Sequence, residues 1–289
     1  MNPPGPLLAQ PVPASALSRP TTLSGPLASR LLDWTARGWW AVALLGQGLF
    51  AAYVVAFYGR SAWRGQFEQW NQVLPNGWAA GQPVTNTVLS LHLLFTVVVV
   101  LGGALQLLPR LRRQAPRVHH WNGRVYLLSA LLLSVGGLVL VWTRPGGELG
   151  QHLGISLNAL LIIVFAALAW RAAVARRFGD HQRWALRLLL AVSGVWCFRI
   201  GLMAWLMIHQ APVGFDPKTF TGPFLIALSF AQTLLPLAVL ELVFIARRRG
   251  GALVPALMAG VLLALTLLTA LGIVGAFLMM WAPRMVPTP

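Results

Sequence analysis

The chain has 289 residues, of which 57% are hydrophobic and only 10% are Asp, Glu, Lys or Arg, with a mean hydropathy of +0.69. A water-soluble domain needs roughly a quarter of its residues charged to cover its surface. A soluble enzyme, a disordered chain and a disulfide-built secreted module are therefore excluded, and a polytopic helical membrane protein is left.

Residues 1–37 read as a flexible cytoplasmic leader, rich in Pro, Ala, Ser and Leu at its start. The apolar run 39–57 predicts a first membrane helix, retained because no cleavage site follows it. Six further runs follow at 87–108, 121–142, 153–170, 185–208, 222–246 and 252–280. At a rise of about 1.5 Å per residue, each crosses about 30 Å of hydrocarbon. The expectation is an all-α polytopic membrane protein with seven transmembrane helices, forming one domain over 38–289, with helices two to five as a four-helix bundle. The loop 59–86 carries Trp63, Trp70 and Trp78, residues suited to a membrane interface, and reads as an amphipathic cap or a lid.

The net charge of +16 is arginine in short clusters between these runs, a topology pattern rather than a nucleic-acid footprint. Sixteen arginines fall on the side of the N-terminus and of the loops around 110–124, 171–187 and 247–249. The other side holds five cations, Arg60, Arg64, Arg144, Lys218 and Arg284. Short cytoplasmic loops accumulate positive charge, so the N-terminus is expected inside and the C-terminus outside a bacterial inner membrane. Cys197, the lone cysteine, sits in an apolar run and reads as filler.

All six histidines lie at or near helix ends. His92 and His152 enter helices two and four from outside; His119 with His120, and His181, stand at the inner ends of helices three and five. In a four-helix bundle, helices two and four face each other across the centre, as do three and five. Two imidazoles facing across a bundle hold a haem iron from both axial sides. The expectation is therefore two b-type haems, one between His92 and His152 and one between His119 and His181. Gly102, Gly103, Gly136, Gly137, Gly154 and Gly194 would make room for the porphyrins, and Arg124, Arg183 and Arg187 would meet propionates. Such a protein would relay electrons across the membrane, with quinone or a small reductant as partner. A zinc or copper site from His92, His152 and His209, with Glu148, is a further ligand set.

Arg199 lies some ten positions from the end of its span, and a charge at that depth must face protein, water or an anion. It is expected to contact a cofactor or an anionic ligand, or to pair with Glu241, the one carboxylate within a predicted span. The rival to the haem reading is a haem-free transporter or small-molecule binding protein centred on Arg199. Asp180 beside His181 reads as an acceptor orienting the imidazole or as a helix cap.

Three polar motifs carry a resemblance: His92 with Gly103 and Gln106; His119-His120-Trp-Asn-Gly-Arg124-Val-Tyr126; and His181-Gln-Arg183-Trp-Ala-Leu-Arg187. The stretch 88–210 resembles the bacterial membrane family catalogued as domain of unknown function 2306. The second motif departs from the family pattern in having His120 in place of arginine, and the third in having Ala185 where methionine is usual. The resemblance implies site residues, His119 rather than His120 among them, without implying a reaction. In architecture alone, the alternation of His92, His119, His152 and His181 is similar to b561-type transmembrane cytochromes.

Overall fold

The structure, a computed structural model, describes residues 25–74, 77–248 and 251–286. These are almost wholly helical. Among them, six helices are long and apolar enough to cross a membrane, and a bent pair brings the total to as many as seven.

The first span is one rod from Gly25 to Trp63: α1 (Gly25–Tyr53), a π-helical turn (Val54–Gly59) and α2 (Arg60–Trp63). Residues 25–37 of the expected leader are thus helical, and those before Gly25 lie outside the described residues. After a 3-10 turn at Phe67–Gln72 come α3 (Pro83–Gln106), α4 (Pro109–Gln114) and α5 (Pro116–Thr143). Each of these three helices starts on proline, whose missing N–H costs nothing where a helix has no acceptor for it. The next is α6 (Leu149–Val174), opened by a reciprocal capping box between Glu148 and Gln151. α7 (Phe178–Val192) and α8 (Gly194–His209) follow, then α9 (Pro223–Arg248) and α10 (Leu253–Ala276), which runs through a π turn (Phe277–Trp281) into α11 (Ala282–Met285).

The fifth predicted span is the bent one. α7 and α8 meet at 51° about Ser193. The break is held by side chains from other helices: Gln47 donates to Ser193 Oγ at 3.0 Å, and Asn158 donates to the Ala191 carbonyl at 2.8 Å and to Thr233 Oγ1 at 2.6 Å. Gly194 makes this possible, because a Cβ there would lie 2.7 Å from the Asn158 amide nitrogen.

Lipid is as apolar as a protein core, so helices in a membrane associate through close backbone approach rather than hydrophobic burial. α3 lies along α5, α6 along α7, α1 along α10, and α8 against α9 and α10. Gly154 of α6 admits Ser229 of α9, and Gly272 of α10 meets the Ile200 carbonyl of α8 so closely that no Cβ fits. Large apolar side chains such as Leu94, Leu128, Leu160, Leu235 and Leu267 point outward and stay exposed. The span ends define two faces: a loop end, carrying residues 64–74 and 77–82, and a basic end, carrying α4 and the arginines after α6 and at the close of α9.

Candidate functional site

At the basic end the motif residues build a helix crossing. Gln106 donates to the His119 carbonyl at 2.9 Å and Asn122 to the Gly102 carbonyl at 2.9 Å. A Cβ on Gly123 would lie 3.3 Å from the Gln106 amide, and one on Gly103 would lie 3.3 Å from the Tyr126 ring. The polar pattern that distinguishes this stretch is therefore the contact between α3 and α5. The expected cationic residues are engaged nearby. Arg187 pairs with Glu241 at 2.7 Å and lies over the rings of Trp184 and Phe244, and Arg124 lies over Trp121. Glu241 thus serves Arg187 and not Arg199. Arg183 stands on α7 one turn before Arg187.

His119 and His181 lie within electrostatic reach of each other. His181 Nδ1 donates to the Ala169 carbonyl at 3.0 Å, while Asp180 sits 3.8 Å from Arg177, so a backbone carbonyl and not Asp180 orients this imidazole. At the loop end, His152 donates from Nε2 to the Gly146 carbonyl at 3.0 Å and packs edge-on to Trp142. Glu148 accepts from the Gly222 N–H at 2.6 Å, and His209 donates to the Trp205 carbonyl at 3.0 Å. His92 instead faces α5, where a Cβ on Gly136 or Gly137 would lie 3.7 or 3.6 Å from its ring.

These positions overturn the two-haem expectation. A porphyrin between helices needs a slot beside small residues, and the six glycines nominated for it are all filled by protein. Gly102 meets Asn122 and Tyr126, Gly103 meets Leu189 and Tyr126, Gly136 and Gly137 meet His92, Gly154 meets Ser229, and Gly194 meets Asn158 and Thr233. His92 and His152 are spent on different neighbours rather than facing one another. Among the described residues no group of three or more His, Cys, Asp and Glu side chains could hold a metal, so the zinc or copper set fails as well. The electron relay falls with its ligands, as do the iron-dependent and quinone-linked roles built on it.

Arg199 has different surroundings. It projects from α8 about 15 Å below the loop end, by the helix rise over ten residues. Its guanidinium lies 5.3 Å from the centre of the Phe50 ring and makes one long hydrogen bond, 3.4 Å, to the Val195 carbonyl of its own helix. No carboxylate among the described residues forms an ion pair with it. Around it α1, α3, α8 and the end of α10 supply a buried cluster that includes Phe50, Tyr53, Phe57, Tyr58, Leu89, Trp196 and Trp281. The Trp196 and Trp281 indole nitrogens are buried here without hydrogen-bond partners. Buried polar atoms are normally satisfied, so these two N–H groups are donors that the protein leaves unused. His92, Tyr53 and Tyr58 are within electrostatic reach of Arg199.

This packed cluster is covered by the tryptophan loop, whose Trp70 belongs to it. Trp70 donates to Ser61 Oγ at 2.8 Å, Asn71 exchanges two hydrogen bonds with the Trp78 backbone, and Phe67 stacks on Trp78 at 4.3 Å. Beside it a cleft of about 540 Å³ is lined by Phe67, Trp78, Gln82, Asn86, Thr87 and Ser90. The loop is a pinned cap. Sequence reasoning found Arg199 and His92 but missed Tyr53, Tyr58, Trp196 and Trp281. The spacing of Phe50, Tyr53 and Phe57, one aromatic residue per turn in the first span with Tyr58 directly after the last, was the available signal.

Residues 89–244, more than half of the chain, match the family described as Predicted membrane protein (DUF2306). No curated protein and no solved structure matches. The family match extends the motif-bearing stretch through α9, and nothing matched supports the looser likeness to b561-type cytochromes.

Proposed function

The chain belongs to the DUF2306 family, and from that premise we propose that it is a haem-free membrane protein binding a small anionic molecule at Arg199. The observation that carries this is a guanidinium deep in a span with no carboxylate partner among the described residues, set among buried N–H groups that donate to nothing. An uncompensated charge in hydrocarbon is expensive, and an anion bound beside it removes the cost. Arg199 is only partly buried, as an accessible site requires. His92, turned to the glycines of α5, lies within electrostatic reach of Arg199. In this reading His119, His152, His181, Arg124, Arg183 and Arg187 serve helix contacts.

The arginine asymmetry supports a cytoplasmic basic end, with the N-terminus inside, the C-terminus outside and Arg199 on the side of the outer face of a bacterial inner membrane. Contacts of α3 with α5, α5 with α6 and α6 with α7 support a four-helix arrangement of the second to fifth spans, within a single domain over 38–289. Transport rather than binding alone is favoured by the bent span, since carriers place their sites on discontinuous helices.

The test is a thermal-stability screen of the purified protein in nanodiscs against small carboxylates, sulfonates and phosphates. At least one anion raises the melting temperature of the wild type and of R187A but not of R199A. A screen in which R199A responds like the wild type to every stabilising anion sinks the reading. Flux of the identified anion into proteoliposomes then separates carrier from binder.

A further inference from the structure

The cleft beside the tryptophan loop has its own chemistry, and Arg199 does not line it. One wall is aromatic, Phe67 stacked on Trp78, and the other is the start of α3, with Gln82, Thr87, Ser90 and Leu91. Its volume of about 540 Å³ is that of a small-molecule site. No Asp, Glu, Lys, Arg or His side chain is among the lining residues. Asn86 holds the two walls together: it exchanges hydrogen bonds with the Ala79 backbone at 2.8 and 3.1 Å and accepts from Arg144 at 2.9 Å. The polar groups left over are of both kinds. The Gln82 amide N–H groups and the Thr87 hydroxyl have no partner among the described residues, and the Ser90 hydroxyl, which donates to the Asn86 carbonyl at 2.9 Å, can still accept. Thr87, Leu91, Leu94 and Leu101 follow one another at intervals of four, three and seven residues, so they share a face of α3, and all four stay exposed. The cleft therefore opens at the top of a lipid-facing stripe.

We propose that this cleft holds the uncharged, hydroxyl-rich headgroup of a glycolipid, whose acyl chain runs down α3 over Leu91 and Leu94. The inference stands apart from the Arg199 reading and would survive its failure. An anionic headgroup offers acceptors alone and is held best by cations, which the lining lacks. A choline is held by rings on several sides, whereas Phe67 and Trp78 lie against each other and form one wall. A sugar hydroxyl both donates and accepts, and so meets the Gln82 amide, the Thr87 hydroxyl and the Ser90 oxygen alike. The C–H face of a pyranose ring is apolar and packs on a flat aromatic wall. A free sugar would make no use of the leucines below the cleft, and an acyl chain covers them.

Native mass spectrometry of the full chain, released from a sugar-free polyoxyethylene detergent, tests this by counting bound lipids. The probes are diglucosyl diacylglycerol, phosphatidylglycerol and phosphatidylcholine, equimolar and with the same acyl chains. Wild type is expected to retain one glycolipid about tenfold in preference to either phospholipid, the worth of one or two neutral hydrogen bonds. T87W, which fills the cleft from an exposed position, is expected to abolish that preference. The pair Q82A and T87V leaves the cleft open, adds no bulk, and is expected to reduce the preference at least about fivefold. L128W, a like change on the exposed face of α5, and R199A are expected to keep it in full. Equal retention of the three lipids by wild type overturns the proposal, as does a glycolipid preference that T87W and the Q82A/T87V pair both leave intact. Displacement of the glycolipid by an equal concentration of maltose overturns the lipid source, and persistence of the glycolipid in maltose supports it.

Discussion

The two ends of the molecule treat their positive charge in opposite ways. At the basic end Arg187 meets Glu241, Arg247 meets Asp33 at 2.8 Å, and Arg124 lies on Trp121. At the loop end Arg199 and Arg284 are bonded only to carbonyls of their own helices. The crowded face is the quiet one. Cations near headgroups cost little and serve orientation and packing, whereas a cation set against buried aromatic rings without a carboxylate costs more, and the proposed anion site rests on that difference.

The sharpest way to break this contrast is to remove one arginine from each end. R199A is expected to weaken binding of the stabilising anion about 100-fold, roughly 2.7 kcal/mol, and R187A to change it less than about twofold, both read by calorimetry. Equal losses would erase the distinction between the ends. A second test concerns the frame that carries Arg199. G272L drives a side chain into the Ile200 carbonyl and is expected to destabilise by about 1–3 kcal/mol. G48A, where no atom lies within 4 Å of the added methyl, is expected to be neutral or to stabilise by up to about 1 kcal/mol. Chemical unfolding in mild detergent compares the two.

Smaller effects probe the paired end. In a double-mutant cycle, R187A and E241A are expected to show a coupling of about 1 kcal/mol, limited because Glu241 is 45% exposed. A coupling near zero would mean that the basic end is no better paired than the loop end. D33N is expected to cost at most about 0.5 kcal/mol and to lose that effect in high salt, since both partners in its ion pair are about half exposed.

The membrane class and most span positions were legible in the sequence because hydrophobic runs and arginine clusters are local signals. Arg199 was legible for the same reason, as a charge in an apolar run. The histidines misled because placement at helix ends says nothing of which neighbour an imidazole meets. His92 turned to the glycines of α5, and His152 and His181 turned to backbone carbonyls. Gly102, Gly103 and Gly123 read equally well as cofactor space or as helix contact, and only the partner helix decides. Trp281 was out of reach because α10 returns beside α1 over more than two hundred residues of intervening chain. No periodicity carries that information.

The bend at Ser193 has an electrical consequence. A straight span would place its two dipole ends at the two membrane surfaces, where water damps them. Cutting it into α7 and α8 brings a negative and a positive pole together at Ser193, between the two half-helices. The negative pole is damped, because Asn158 and Ser193 donate to the last carbonyls of α7. The positive pole of α8 remains, five residues before Arg199 in the same helix. An anion held at Arg199 as proposed would therefore feel a field with a backbone component, which survives the loss of any one cationic side chain and disappears only when the two half-helices are brought into line.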